Sequence, residues 1–331
     1  MSINKADKYC RFCSEFSQAN GEDPIGSATN FQHWLIIEAA PPWKINIWLE
    51  PNPMPQEVLD VLKLIWERGI KLRQLAIAPD REFSYPGYKR VFYFRRPAKL
   101  FSQFEKHEFL APDNEVGSLA IALLQHPDEL TRFEQYRQHN DHLRELMICN
   151  HGNVDVACSR FGYPIYKTLR EKYAAESQGK LRVWRCSHFG GHQFAPTLVD
   201  LPEGHYWGHL KPEVLELLVQ RDRSVTELRP YYRGWAGLSK FEQIVEREIW
   251  MREGWNWLNY RKAGQVLAMD ERDQKWAEVR IDFAAPDRSV SGAYEARVEA
   301  TTPVKTMRRS NDEESIETVQ QYRVTNLARV N

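Results

Sequence analysis

The sequence predicts an α/β (α+β) protein, on three observations. Short apolar runs of strand length, such as HWLIIEAA at 33–40 and LMIC at 146–149, stop at Pro or Asn. Between them lie stretches whose apolar residues recur at helical spacing. The chain has 331 residues, enough for about two domains with cores of their own. The order of these stretches divides the chain into an N-terminal α/β region (1–144), a central unit (145–224) and a mixed α+β C-terminal extension (225–331).

In the N-terminal region the run 33–40 ends at Pro41-Pro42 and suits a buried strand. Residues 55–68 place Val58, Leu59, Leu62, Ile65 and Trp66 on one helical face, with Gly69 as the C-terminal cap. Strands follow at 72–78 and 90–94, separated by the turn-rich PDREFSYPGYK. Helical patterns then cover 116–125 and 128–144.

The central unit opens with the strand LMIC and the loop Asn150-His151-Gly152-Asn153. A helix carrying Cys158 is interrupted at Gly162-Tyr163-Pro164. A second helical stretch then aligns Ile165, Tyr166, Leu169 and Tyr173. Strand 181–186 leads into the loop SHFGGH. A hairpin over 194–201 and 205–210 turns at Pro202-Glu203-Gly204, and a helix at 212–221 turns Val214, Leu217 and Leu218 inward. This β-α-β-β-β-α order suits a thioredoxin-like sheet. The N-terminal region also runs strand-helix-strand-strand, so it could share that fold, although the order is common. In the extension, Ser239 and Glu242 form a capping box for a helix ending near Gly254. Val279, Ile281 and Phe283 alternate as on a strand, with 294–300 as its hairpin partner; the acidic 311–317 is a solvated segment.

Composition narrows the function. Lys+Arg and Asp+Glu both number 45, so no global charge draws the chain to nucleic acid or to an anionic membrane. No apolar run reaches the roughly 18 residues of a membrane span, and the N-terminus lacks a secretory apolar core. A cytoplasmic protein is expected. Five cysteines are too few, and odd in number, for a disulfide framework, and clustered thiols in a reducing compartment point to metal binding or catalysis. The 11 Trp are read as core.

The chemistry concentrates between Cys149 and His192. Eight residues separate Cys149 from Cys158, and three separate His188 from His192. Histidines at i and i+4 share a helix face in zinc proteases, but here Phe-Gly-Gly lies between them and the glutamate base is missing. Two adjacent glycines disfavour helix by about 1 kcal/mol each, so the pair sits on a loop that folds tightly around a ligand. Two thiolates and two imidazoles suit tetrahedral zinc as well as an iron–sulfur centre. Zinc-finger spacing is shorter than the intervals found here, and the wider spacing favours the larger object.

The stretches ICNHGNVDVACSRFGYPIYKTL and VWRCSHFGGHQFAPTLVDLPEGHYWGHL resemble the sucrase/ferredoxin-like family, as do CSEFSQANGEDPIGSA, WLIIEAAPPW and YRGWAGLSKFEQ. The likeness runs from residue 10 to about 260, with SHFGGH its most specific element. It implies a thioredoxin-like ferredoxin domain. It also implies a [2Fe–2S] cluster bound by Cys149, Cys158, His188 and His192, the histidines standing where ordinary thioredoxin-like ferredoxins have a second cysteine pair. An electron carrier with an unidentified redox partner protein is then expected, rather than an enzyme. Replacing thiolates by neutral imidazoles raises the reduction potential, as in Rieske centres. A solvent-reachable imidazole couples the electron to a proton, so the potential should fall as pH rises.

Other residues are less determined. Cys186 departs from the resemblance and reads as an inward bystander, with ligation the alternative. Cys10 and Cys13 form a lone CxxC without a preceding strand. Arg160, Arg182 and Arg185 could form a positive rim for a partner, and His205 and His209 could stand behind the ligands. The competing functions are a zinc-stabilised binding protein and a thioredoxin-like thiol oxidoreductase using Cys10, Cys13 or Cys186.

Overall fold

The computed structural model describes residues 11–330, so Cys10 lies outside the described residues. After a short helix α1 (Cys13–Ala19), the first half contains β1 (His33–Glu38), α2 (Gln56–Glu67), β2 (Leu72–Ile77), β3 (Tyr88–Arg95), β4 (Glu105–Pro112), α3 (Val116–Leu124) and β5 (Arg137–Gln138). The second half repeats that order: β6 (Arg144–Cys149), α4 (Val156–Thr168), β7 (Leu181–Cys186), β8 (Leu198–Leu201), β9 (His205–Trp207), α5 (Pro212–Gln220) and β10 (Tyr232–Trp235). A 3-10 segment precedes the last strand of each half. The C-terminal region adds α6 (Lys240–Glu253), β11 (Arg261–Met269), β12 (Trp276–Ala284), β13 (Ser291–Ala300), β14 (Val304–Met307), β15 (Ile316–Val319) and β16 (Tyr322–Val330).

The halves join into one ten-stranded sheet, ordered β10-β9-β8-β6-β7-β2-β1-β3-β4-β5. Within each half the first two strands are parallel and the third is antiparallel to the first, as a thioredoxin-like sheet requires. The seam is the antiparallel contact of β2 with β7, where Ile77 faces Cys186. Backbone bonds Ala78 N–H to Arg185 O (2.9 Å) and Ser187 N–H to Ala76 O (2.7 Å) extend it in both directions.

Strand periodicity explains the layers. On β1, Trp34 and Ile36 enter one core while Leu35 and Ile37 enter the other, against Val58, Leu62 and Ile65 of α2. Both faces of β1 are covered, so it reads as a continuous apolar run. The capping box at Ser239 and Glu242 is present at the start of α6. β12 and β13 pair as expected, inside a four-stranded sheet with β11 and β16.

Several elements differ from the sequence expectation. α4 passes through Gly162-Tyr163-Pro164 and ends in a wide π turn at Leu169–Ala174. Close packing on β6 holds the helix there despite the missing N–H of Pro164. The helix expected at 128–144 is a 3-10 segment at Pro127–Tyr136 followed by β5, which turns back to pair with β4. On α5 the buried residues are Leu215, Leu217 and Leu218, with Val214 half-buried. β4 has no strand signature in the sequence because it carries Lys106 and Glu108 into the interior, where Lys106 pairs with Glu145 (2.6 Å) and Arg182 with Glu108 (2.5 Å). Buried ion pairs erase the apolar pattern that marks a strand. Arg182 therefore belongs to the interior and is no part of a positive rim; Arg160 is exposed and Arg185 half-buried.

Candidate metal centre

Cys149 is the last residue of β6 and is buried. The β6–α4 turn is short because Asp155 caps the helix, accepting a hydrogen bond from Ala157 N–H (2.9 Å). That puts Cys158 in the first turn of α4, above the end of β6. Contact is so close that a Cβ on Gly162 would stand 2.2 Å from the Cys149 carbonyl oxygen. Only glycine fits there.

His188 follows β7 and turns its Nδ1 toward both thiols, 3.8 Å from Cys149 Sγ and 3.9 Å from Cys158 Sγ. Potential ligand atoms of Cys149, Cys158 and His188 all lie within 4.8 Å of one another. The thiols are inequivalent. Burial opposes ionisation of Cys149, but hydrogen bonds from Cys158 and His188 outweigh it and hold Cys149 well below the usual thiol range. Cys158, donating to Cys149 and buried as well, is pushed well above it.

The loop to His192 turns at Gly190 (φ 97°) and Gly191 (φ 80°), left-handed positions that favour glycine. His192 is a neighbour of this group rather than a member. Its ring lies 5.4 Å from that of His188, centroid to centroid. Its Nδ1 lies 3.5 Å from Cys13 Sγ and 3.5 Å from Asp155 Oδ2, and Cys13, Asp155 and His192 form a second compact group of potential ligands.

Asp155 joins these groups to the C-terminal region. It accepts hydrogen bonds from Ser310 N–H (2.9 Å) and Ser310 O–H (2.7 Å), in the loop between β14 and β15. Burial would raise its pKa, but the contacts with His192 and Ser310 hold it well below the usual carboxylate range. Burial pushes the Cys13 thiol up to about 12. Behind His188, His151 Nδ1 accepts the His188 backbone N–H (3.3 Å), and its Nε2 faces the Trp43 carbonyl (3.0 Å).

Thus Cys149, Cys158 and His188 are brought together, and His192 sits beside them. Cys186 faces Cys149 across the β6–β7 ladder, fully buried and in neither ligand group. His205 and His209 make other contacts: His205 Nδ1 meets Tyr232 Oη (3.0 Å), and His209 Nε2 lies 3.5 Å from Ser17 Oγ. Sequence reasoning missed Asp155, Ser310 and Arg233. Asp155 alone carries a local mark, an acidic residue three positions before Cys158 at a helix start.

The model of the sucrase/ferredoxin-like family matches residues 24–234, which include all four expected ligands. The chain belongs to the sucrase/ferredoxin-like family. Among solved structures it is similar to a thioredoxin-like [2Fe–2S] ferredoxin from Aquifex aeolicus, with 17% identity over 26% of this chain and 89% of that one and a TM-score of 0.23. No curated protein matches it. No helix among the described residues is long and apolar enough to cross a membrane.

Proposed function

We propose that this member of the family is a one-electron carrier whose [2Fe–2S] group is held by Cys149, Cys158, His188 and His192. The observation that carries the reading is the convergence of Cys149, Cys158 and His188 within 4.8 Å at adjoining strand ends, with the His192 ring 5.4 Å from His188. The donor set fits the group: two buried thiols, one already biased toward thiolate, and two imidazoles on a glycine loop. When bound, the group would accept and release single electrons. The chain's residues do the rest. Asp155 faces His192 Nδ1 and orients the ring, as carboxylates commonly do for metal-bound histidines. Both histidines are half-buried, and a ring N–H open to water would couple the electron to a proton. A redox partner protein would meet this end of the sheet.

The test is an absorption spectrum of anaerobically purified protein, with iron and acid-labile sulfide assayed on the same sample. Broad visible bands with equal iron and sulfide support the reading, and a potential that falls with rising pH supports the proton coupling. A second reading has its own observation. Sγ···Nδ1 separations of 3.8 and 3.9 Å are close to the roughly 3.6 Å that one tetrahedral zinc imposes on thiolate and imidazole ligands. A colourless protein with one zinc would establish that reading instead.

A further inference from the structure

Arg233, on β10, is 1% exposed, yet its hydrogen bonds among the described residues go to a hydroxyl and two backbone carbonyls and to no carboxylate. All its partners are neutral. Nε donates to Ser27 Oγ, Nη2 to the Ser27 carbonyl and Nη1 to the Gly190 carbonyl, each at 3.0 Å. The guanidinium lies over the rings of Phe194 and Tyr206, both 5.4 Å away. It also presses on the ligand loop, since a Cβ on Gly191 would stand 2.3 Å from Nη2.

A buried cation with only neutral partners is costly, and buried charges are normally paired or neutralised. Aromatic faces recover part of that cost. Burial disfavours its charge, as does Arg73 of the same sign, whereas Tyr206, whose ring it covers, and the thiols Cys149 and Cys158 act in the opposite sense once ionised. The arrangement makes sense if negative charge belongs beside Arg233 in the working protein.

We propose that Arg233 is the fixed counter-charge of the metal centre, holding the reduced state against oxidation. The inference rests on the cluster reading above. Two ferric ions, two sulfides, two thiolates and two neutral imidazoles carry no net charge. At a pH above the proton-coupled range, one electron from an external one-electron carrier arrives without a proton and turns that group into an anion, and a desolvated guanidinium beside the loop stabilises the anion more than the neutral form. Arg233 thus raises the reduction potential without touching iron.

The experiment compares loaded full-length wild type, Arg233→Gln and Arg233→Lys at one fixed pH, measuring midpoint potential with iron and sulfide. Arg233→Gln should keep iron and sulfide but shift to lower potential, and Arg233→Lys should recover most of the shift. A loaded Arg233→Gln protein with unchanged potential overturns the proposal. A second comparison covers a variant that does not load: melting of metal-free Arg233→Gln and Arg233→Lys, both of which lose the three-way hydrogen bonding of the guanidinium. If the positive charge serves only the reduced cluster, the neutral variant should melt no lower than the charged one when the cluster is absent. A metal-free Arg233→Gln protein that melts clearly below Arg233→Lys would mean that the charge supports the fold itself and would overturn the inference. Absence of iron from the wild type would instead sink the cluster reading itself.

Discussion

The two halves of the sheet use one strand order for different ends. In both, the first strand, the helix after it and the loop after the second strand converge on one spot. In the second half that spot holds Cys149, Cys158 and His188. In the first half β1 ends in Glu38, buried, and the loop after β2 supplies Ser84, whose hydroxyl donates to Glu38 Oε2 (2.7 Å). The β1–α2 connection is also longer, and it buries Trp43, Ile47 and Met54 where the second half has only a short capped turn. The backbone provides the place; the side chains decide whether it offers potential metal ligands or is filled with protein.

The comparison breaks most visibly at the ligands. Cys149→Ser and Cys158→Ser should each lose nearly all bound iron, whereas Glu38→Gln should leave it unchanged; metal analysis of the purified variants decides. Equal loss in all three would mean the halves share one site.

Next in size are two glycines. Gly162→Ala forces a Cβ into the Cys149 carbonyl, and overpacking of this kind costs about 3 kcal/mol, so the urea midpoint should fall sharply. Gly69→Ala in the first half meets no atom within 4 Å and pays only for its positive φ, about 1 kcal/mol.

Acid should also strike the second half. Burial lowers His205 to about 3 and His209 to about 4 from an ordinary 6.5. Above pH 6.5 both states are neutral there and stability is full. As pH falls from 6.5 toward 3, the unfolded chain takes up protons that the folded one refuses, and stability declines. The expected loss is about 2 kcal/mol per histidine at pH 5, and His205→Gln should flatten the denaturation midpoint between pH 7 and 5. The smallest effect belongs to Ser84→Ala, about 1 kcal/mol for one hydrogen bond, with iron content unchanged.

Much of the fold and of the candidate metal centre is legible in the amino-acid sequence. Buried strands such as β1 and β6 are short apolar runs, and α2 shows its face at helical spacing. The ligand candidates stand at ends of those runs. Charged strands are not legible: the inward Lys106 and Glu108 of β4 look like surface until Glu145 and Arg182 arrive from another half. The continuous helix through Gly162 and Pro164 is hidden as well, because local propensity ignores the strand packed beneath it.

By itself, then, the sequence determined the order of elements and the donor atoms on offer, since periodicity and side-chain chemistry are local properties. Tertiary structure alone decided that β2 and β7 join two sheets into one, that Cys13 and Ser310 close around Asp155 and His192, and that a lone guanidinium lies under the ligand loop. Those contacts link residues far apart in the chain, and only closure of the whole fold makes them neighbours.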